Sequence, residues 1–539
     1  MTYTVINEAS GDAPGTVSVK TSHYIPEQDS TLTIPNEVTN SADGKQYIVT
    51  EIDEYGFIEL DSYYSKVVLP NNLVKIGQYA FSGRNTNTDG SIKGTSIESI
   101  VFNNGLEKIN SNAFDGCKNL TTIDIPASVT SLGQNVFRNC TSLNKVNLTE
   151  GITFIGKGTF DGCEKLTTLS VPNSLTDTFS GNCWNTFHSG SFLEKIIIKE
   201  DNDNYTSIDG IVYTKDKTKL VYCPPAKTNA NVEDGVKQIG LTRGQVQSVS
   251  LGFYGCRELI NVTLPNSLER IEEDAFYMCQ KLEKVRIPDS VTYIGPDAFY
   301  TCKSLTDITF PAKLDSIGNG AFLQCSLLNN IHLPYGLKTI GNYAFKGCAA
   351  LERIEIPATV NTIGEGTFKE CAKLLGVDLP DGLNTIESEM FSKCTSLRTF
   401  VVPNGVTTIN KNAFSGCSSL VSIEFPTTIT SVSSLAFGGD GLATHRFFNK
   451  ESTGNSDYYE PGDEQKGDVE KIQGRVYIGT YVSSEFTFYE YTGTETDARY
   501  NIRYYTNEGY NDFANPPDMT REDEVTLAEP TRKGHTFNG

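Results

Sequence analysis

Residues 351–373 read LERIEIPATVNTIGEGTFKECAK, and the 23 residues on either side repeat the pattern. Working outward, Cys256, Cys279, Cys302, Cys325, Cys348, Cys371, Cys394 and Cys417 stand 23 residues apart, and Cys117, Cys140 and Cys163 keep that step earlier in the chain. Pro265, Pro288, Pro311, Pro334, Pro357, Pro380, Pro403 and Pro426 repeat at a second phase. Phe276, Phe299, Phe322, Phe345, Phe368, Phe391, Phe414 and Phe437 repeat at a third. A fixed period in the twenties is the mark of a solenoid, in which each repeat is one coil stacked on the last.

Each phase has a physical job. Leu351, Ile354 and Ile356 alternate as a half-buried strand does, apolar inward and polar outward. Pro357 follows, where a residue that cannot donate to a ladder ends the strand and the coil turns. A second short extended piece ends in a glycine expected to permit a tight corner, at Gly295, Gly318, Gly341 and Gly364, replaced by Glu272, Glu387 and Asn410 elsewhere. The return leg Ala-Phe-x-x-Cys is too short for more than one helical turn. Its phenylalanines are expected to stack in a column that supplies much of the cohesion between coils.

Thirteen cysteines in 539 residues raise the question of disulfides. The number is odd, and eleven share one phase of the repeat. Residues stacked at one phase lie about 4.7–4.9 Å apart, with parallel side chains holding their Cβ atoms beyond the preferred roughly 3.8 Å. Buried free thiols acting as small hydrophobes are therefore expected. No CxxC pair occurs to build a zinc ladder. The formal net charge of −21 speaks against nucleic acid and anionic membrane, which need clustered positive charge. No run of about twenty apolar residues appears, so no membrane insertion is expected. The opening MTYTVINEASGDAPG lacks the basic and apolar regions of a signal peptide.

The expected organisation is an N-terminal cap of short strands over 1–66, a solenoid over 67–440, a linker or irregular cap over 441–470 and a β-rich module over 471–539. Between Cys163 and Cys256 the register breaks, and residues 204–225 read as a hairpin, with IDGIVYT and KLVYCP as strands around a KDKT turn. Such an insertion serves equally as a binding feature or as a spacer. Residues 441–539 carry 10 Lys+Arg, 18 Asp+Glu and no cysteine, marking a different module.

The unit Leu-x-x-Ile-x-Ile-Pro-x-x-Val-x-x-Ile-Gly-x-x-Ala-Phe-x-x-Cys resembles the BspA-type, or Treponema-type, leucine-rich repeat over roughly 67–440. The hairpin also resembles an insertion common in that family. The resemblance implies a β-rich leucine-rich-repeat solenoid, a curved right-handed arc of 23-residue coils, on secreted or surface proteins of bacteria and some parasitic protists. Its members are associated with adhesion to host proteins or other microbes. Residues 500–539 resemble the Listeria–Bacteroides surface repeat, related to the B repeat of internalins, whose V-T-L-x-x-P-T-(R/K)-x-G-(Y/H)-T-F-x-G run continues into tryptophan. The chain stops at Gly539, before that position, so a boundary inside a module is expected. Together the two resemblances imply an extracellular, cell-surface or secreted location on a bacterium.

Catalytic chemistry finds no motif. The five histidines are scattered, and there is no HExxH, GxSxG elbow or P-loop. No cofactor or metal is expected, because the acidic run Glu200, Asp201, Asn202, Asp203 lacks the glycine and glutamate of a calcium loop and reads as a solvated turn. Lys466-Gly467-Asp468 matches an integrin-type tripeptide too short to carry weight. The candidate binding residues are the outward positions of successive strands. They include Lys284 and Arg286, Asp307 and Thr309, Asn330 and His332, Arg353 and Glu355. Asn261 and Thr263 precede them; Gly376 and Asp378, Thr399 and Val401, Ser422 and Glu424 follow. Such a row fits a binding face and a merely solvated face alike. The expected function is a non-enzymatic adhesion or interaction protein, a monomer, binding a host or microbial surface protein or glycan. The alternative is a spacer that projects other modules from the cell wall.

Overall fold

The computed structural model describes residues 1–10, 13–21, 30–58, 64–83, 95–175, 192–241, 252–420, 422–433 and 435–438. Beyond these it describes only the backbones of His445–Asn449, Tyr458–Tyr459, Gly474–Thr480, Glu490–Tyr491 and Tyr500–Asn501. Two compact units are present, Met1–Cys325 and Ser326–Gly539. No α-helix occurs among the described residues. The chain is a β-rich leucine-rich-repeat solenoid.

In the first unit the regular coils give a three-residue strand, such as Lys284–Arg286, and a two-residue strand, such as Tyr293–Ile294. Both pair in parallel one coil onward, Lys284 with Asp307 and Tyr293 with Ser316. After each strand-ending proline the chain makes a β-turn, closed by Leu268, Val291 and Leu314 donating their N–H to the carbonyls of Pro265, Pro288 and Pro311 at 3.0–3.1 Å.

The return leg is two successive tight turns. One residue in each takes a left-handed backbone, as at Asp274 and Met278 or Asp297 and Thr301, with φ between 50 and 60°. The corner glycines are not those residues. Gly295 and Gly318 have ordinary φ, but a Cβ on Gly295 would come within 2.5 Å of the Glu273 nitrogen and one on Gly318 within 2.5 Å of the Gly295 carbonyl carbon. The reason for glycine is thus the close approach of two coils, which corrects the expectation of a conformational role. Where Glu387 and Asn410 replace it, in the second unit, the two side chains hydrogen-bond each other at 2.9 Å.

The phenylalanines stack as expected. Phe253, Phe276, Phe299 and Phe322 lie parallel with centroids 4.8, 4.9 and 5.2 Å apart. All twelve described cysteines are free and buried. Their thiols are not only fillers. Cys279, Cys302 and Cys325 donate S–H to the carbonyls of Phe253, Phe276 and Phe299, one coil back, at 3.1–3.2 Å. Each of those carbonyls also accepts the N–H of its own coil's Cys256, Cys279 or Cys302. Both lone pairs of a buried oxygen are satisfied in this way, which is why a small donor repeats at that phase.

The columns reach into the segment read as a cap. Thr31–Thr33 pairs in parallel with Lys66–Val68, Gln46–Ile52 pairs with Lys75–Ile76, and Phe57 stacks on Phe81 at 5.3 Å. Ahead of them Gly15–Lys20 pairs in parallel with Gln46–Ile52, and Thr2–Asn7 pairs antiparallel with Gly15–Lys20 as the outermost strand.

The 204–225 segment is a three-stranded meander, because IDGIVYT is split by a turn. Asp209 and Gly210 both have positive φ, 48 and 78°, and join Tyr205–Ile208 to Ile211–Thr214. Asn-Gly and Asp-Gly pairs favour this two-residue hairpin, so the signal stood in the sequence. The third strand, Lys219–Tyr222, pairs in parallel with Gln238–Ile239 and so heads the second ladder. Its interior is core: Ile211, Val212, Tyr213, Leu220, Val221 and Tyr222 are fully buried.

In the second unit Arg353–Glu355 pairs in parallel with Gly376–Asp378, and Thr399–Val401 with Ser422–Phe425. Phe345, Phe368, Phe391, Phe414 and Phe437 stack at 5.3–6.0 Å. Gly474–Thr480 adds antiparallel to Ser422–Phe425, and His445–Asn449 adds to Gly474–Thr480.

Candidate interaction surface

Strand alternation places one side chain of each three-residue strand inward and two outward. Val285 and Ile308 are buried, while Lys284, Arg286 and Thr309 are exposed and Asp307 is half-exposed. Parallel register aligns the outward positions into two columns, Lys284 beside Asp307 and Arg286 beside Thr309. Neighbouring coils therefore alternate charge in one column and set a guanidinium by a hydroxyl in the other. Further up, Asn261 donates to the Asn229 side-chain oxygen at 3.0 Å.

In the second unit Arg353 and Glu355 flank buried Ile354, and His332 is exposed. Register sets Arg353 beside Gly376 and Glu355 beside Asp378. Arg353 thus lies over a residue without a side chain, and two carboxylates share the other column. Val401, the most exposed apolar residue of this row, is paired with Glu424. The Asn330 side chain lies outside the described residues, as do Lys466-Gly467-Asp468 and all of 502–539.

The row expected from the sequence starts at Asn261. The same phase gives Lys66–Val68 and Ser99–Val101, where Val68 pairs with Val101 on the outward face. Val101 is 69 % exposed, and the two valines border a shallow cavity of about 170 Å³ with Lys66, Asn71 and Asn103. A second missed feature is the ring ladder of Tyr254, Tyr277 and Tyr300, parallel at 4.8 and 4.7 Å. Burial and then the neighbouring phenols push the Tyr277 hydroxyl up to about 12. Each ring covers its neighbour's face, so the stripe presents edges and hydroxyls, not a platform for stacking a sugar. Tyrosine directly after the phased phenylalanine in three coils was the available signal.

Among the described residues no three His, Cys, Asp or Glu side chains converge to hold a metal ion. The acidic run is a turn folded on itself. Asn202 is buried, and its side-chain oxygen accepts the N–H groups of Asn204 and Tyr205 at 3.0 and 2.8 Å. Asp201 accepts from Asn173 at 3.0 Å. The thiols are equally inert: burial pushes Cys163, Cys371 and Cys417 up to about 12. No described helix is long and apolar enough to cross a membrane.

The family described as BspA type leucine rich repeat region matches residues 50–176, 88–213, 250–374 and 338–459. The chain belongs to the BspA-type leucine-rich-repeat family. Proteins of this family are in general bacterial cell-surface proteins, with protein interaction or adhesion as their general role. Among solved structures, the pneumococcal vaccine antigen PcpA is 21 % identical, with 80 % of this chain and 91 % of that one covered and a TM-score of 0.42. A leucine-rich cell-surface protein from Faecalibacterium prausnitzii is also 21 % identical, with 81 and 92 % covered and a TM-score of 0.31. The Treponema pallidum leucine-rich-repeat protein is 24 % identical over 45 % of this chain and 97 % of its own, with a TM-score of 0.29. Curated proteins provide no match.

Proposed function

We propose that this BspA-type protein is a non-enzymatic adhesion protein, displayed outside a bacterial cell, that binds a host or microbial surface protein or glycan. The outward columns of the three-residue strands are the binding surface. The observation that carries this reading is the register of those strands. It holds Lys284, Arg286, Asp307 and Thr309 at fixed spacing on a packed interior that none of the four helps to build. A rigid array of exposed, varied polar groups meets a partner without first ordering long loops, which lowers the entropy cost of binding. His332, Arg353 and Glu355 extend the same chemistry in the second unit.

The test is binding of the full chain to immobilised matrix proteins, mucins and bacterial surface polysaccharides. Saturable binding that falls at least about tenfold in Lys284→Glu/Arg286→Glu, with unchanged thermal unfolding, supports the columns as the site. Saturable binding indifferent to those changes and to Arg353→Glu moves recognition off the columns. Absence of any saturable ligand makes the solenoid a spacer.

A further inference from the structure

We propose that Thr2–Asn7 is a self-association strand through which two copies of this chain pair edge to edge. The strand ends its sheet: Gly15–Lys20 covers one side, and no described strand covers the other. A free edge offers a row of N–H and C=O groups to any extended chain. Proteins commonly guard such edges with charge, proline or shortness. The sequence TYTVIN has neither charge nor proline and is six residues long. Its one irregularity is a register shift between Val5 and Asn7, which leaves the run up to Val5 regular. All six residues are exposed, including Tyr3 at 36 %, Val5 at 43 % and Ile6 at 41 %.

Three observations favour a second copy as the occupant. Antiparallel pairing of a strand with itself is closed by a twofold axis, so one surface serves both partners. An axis at Thr4 sets Tyr3 opposite Val5 of the second copy twice over, and aromatic with β-branched residues is a favourable cross-strand pair. The net charge of −21 sets copies to repel overall, but TYTVIN carries no charged side chain, so nothing in the strand itself opposes its own image. The end of the second unit shows the same device used within one chain, where Gly474–Thr480 closes the edge of Ser422–Phe425 by antiparallel addition.

Pairing of residues 2–6 about that axis buries less than the roughly 1,200 Å² of a standard interface, so the dimer is weak. Chains crowded on a surface reach the local concentrations at which weak pairing is populated. The proposal runs counter to the expectation of a monomer and is independent of the ligand-binding columns.

Sedimentation equilibrium of the full chain, at concentrations up to about 1 mM, is the test. A reversible monomer–dimer equilibrium is expected, with Tyr3→Lys/Val5→Lys raising the dissociation constant at least about tenfold and Ile197→Lys, an exposed apolar residue elsewhere, leaving it unchanged. Unchanged thermal unfolding of the double variant separates lost pairing from lost folding. A chain that stays monomeric throughout, or a dimer that survives the double variant, overturns the proposal.

Discussion

Phe299 and Thr309 belong to adjoining legs of the same solenoid, ten residues apart, and obey the same 23-residue period. Phe299 is fully buried between Phe276 and Phe322, and its carbonyl holds the Cys325 thiol. Thr309 is exposed beside Arg286. The inner columns repeat one residue type because each member is the packing surface of the next, so any substitution is felt on both sides. The outward columns repeat only a position. Their side chains change from coil to coil, through Thr263, Arg286, Thr309 and His332, because backbone register alone holds them in place. Packing therefore dictates the interior and leaves the surface open to selection for binding.

The sharpest way to break this contrast is pH. Burial pushes the thiols of Cys163, Cys371 and Cys417 up to about 12, and burial likewise raises those of Cys302, Cys325 and Cys394. In the unfolded chain the same thiols ionise near pH 8.5. The unfolded state thus binds fewer protons between those values, and stability must fall as pH rises. The stability is complete below about pH 8.5 and is lost progressively as pH climbs toward 12. Urea midpoints measured from pH 8 to 11 should drop steeply, ending in a chain unfolded by alkali alone. At pH 8 a thiol reagent should label the twelve described cysteines hardly at all in the native protein and fully in the denatured one. A urea midpoint that ignores pH, or rapid native labelling of those twelve, would show that the column is not dry.

Next in size is the aromatic column. Phe299→Ala should cost about 3–5 kcal/mol by urea unfolding, whereas Thr309→Ala should fall within about 0.5 kcal/mol of the parent. Equal losses at the two sites would erase the distinction between them.

The inner columns were legible in the sequence because packing enforces residue type: the period, the phenylalanine stack and the free thiols all follow from it. What the sequence concealed were distances between coils. A glycine required for left-handed backbone and one required for close approach look alike on paper, and Gly318 proved to be the second kind. The role of the cysteines as donors to Phe276 and Phe299 was hidden for the same reason, since it depends on which carbonyl the coil above presents. Asp209-Gly210 and the valine pair at Val68 and Val101 were readable and overlooked. The binding partner was not readable, because the outward columns carry no periodic constraint from which to infer one.

Gly318 and Gly382 sharpen the comparison within one residue type. A Cβ at Gly318 would strike the Gly295 backbone, while one at Gly382 meets nothing within 4 Å. Gly318→Ala should therefore cost about 1–3 kcal/mol, through coils forced apart, and Gly382→Ala should be close to neutral. Equal effects at the two would return the corner to a conformational explanation.

The smallest expected effect is on stability when the outward columns are exchanged. Replacing Thr263 by Arg and Arg286 by Thr swaps chemistry between two coils while leaving buried Val285 and half-buried Val262 untouched. Urea unfolding should move by no more than about 0.5 kcal/mol, because exposed side chains held by register contribute little to the fold. Ligand binding should nevertheless change, since the guanidinium has moved one coil along the row, a displacement of about 4.8 Å. A partner that reads the columns tolerates no such displacement of a central charge, whereas a partner held elsewhere does not register it. Stability and binding thus respond separately to the two classes of column: Phe299→Ala weakens the fold without touching a recognition group, and the exchange moves a recognition group without touching the fold.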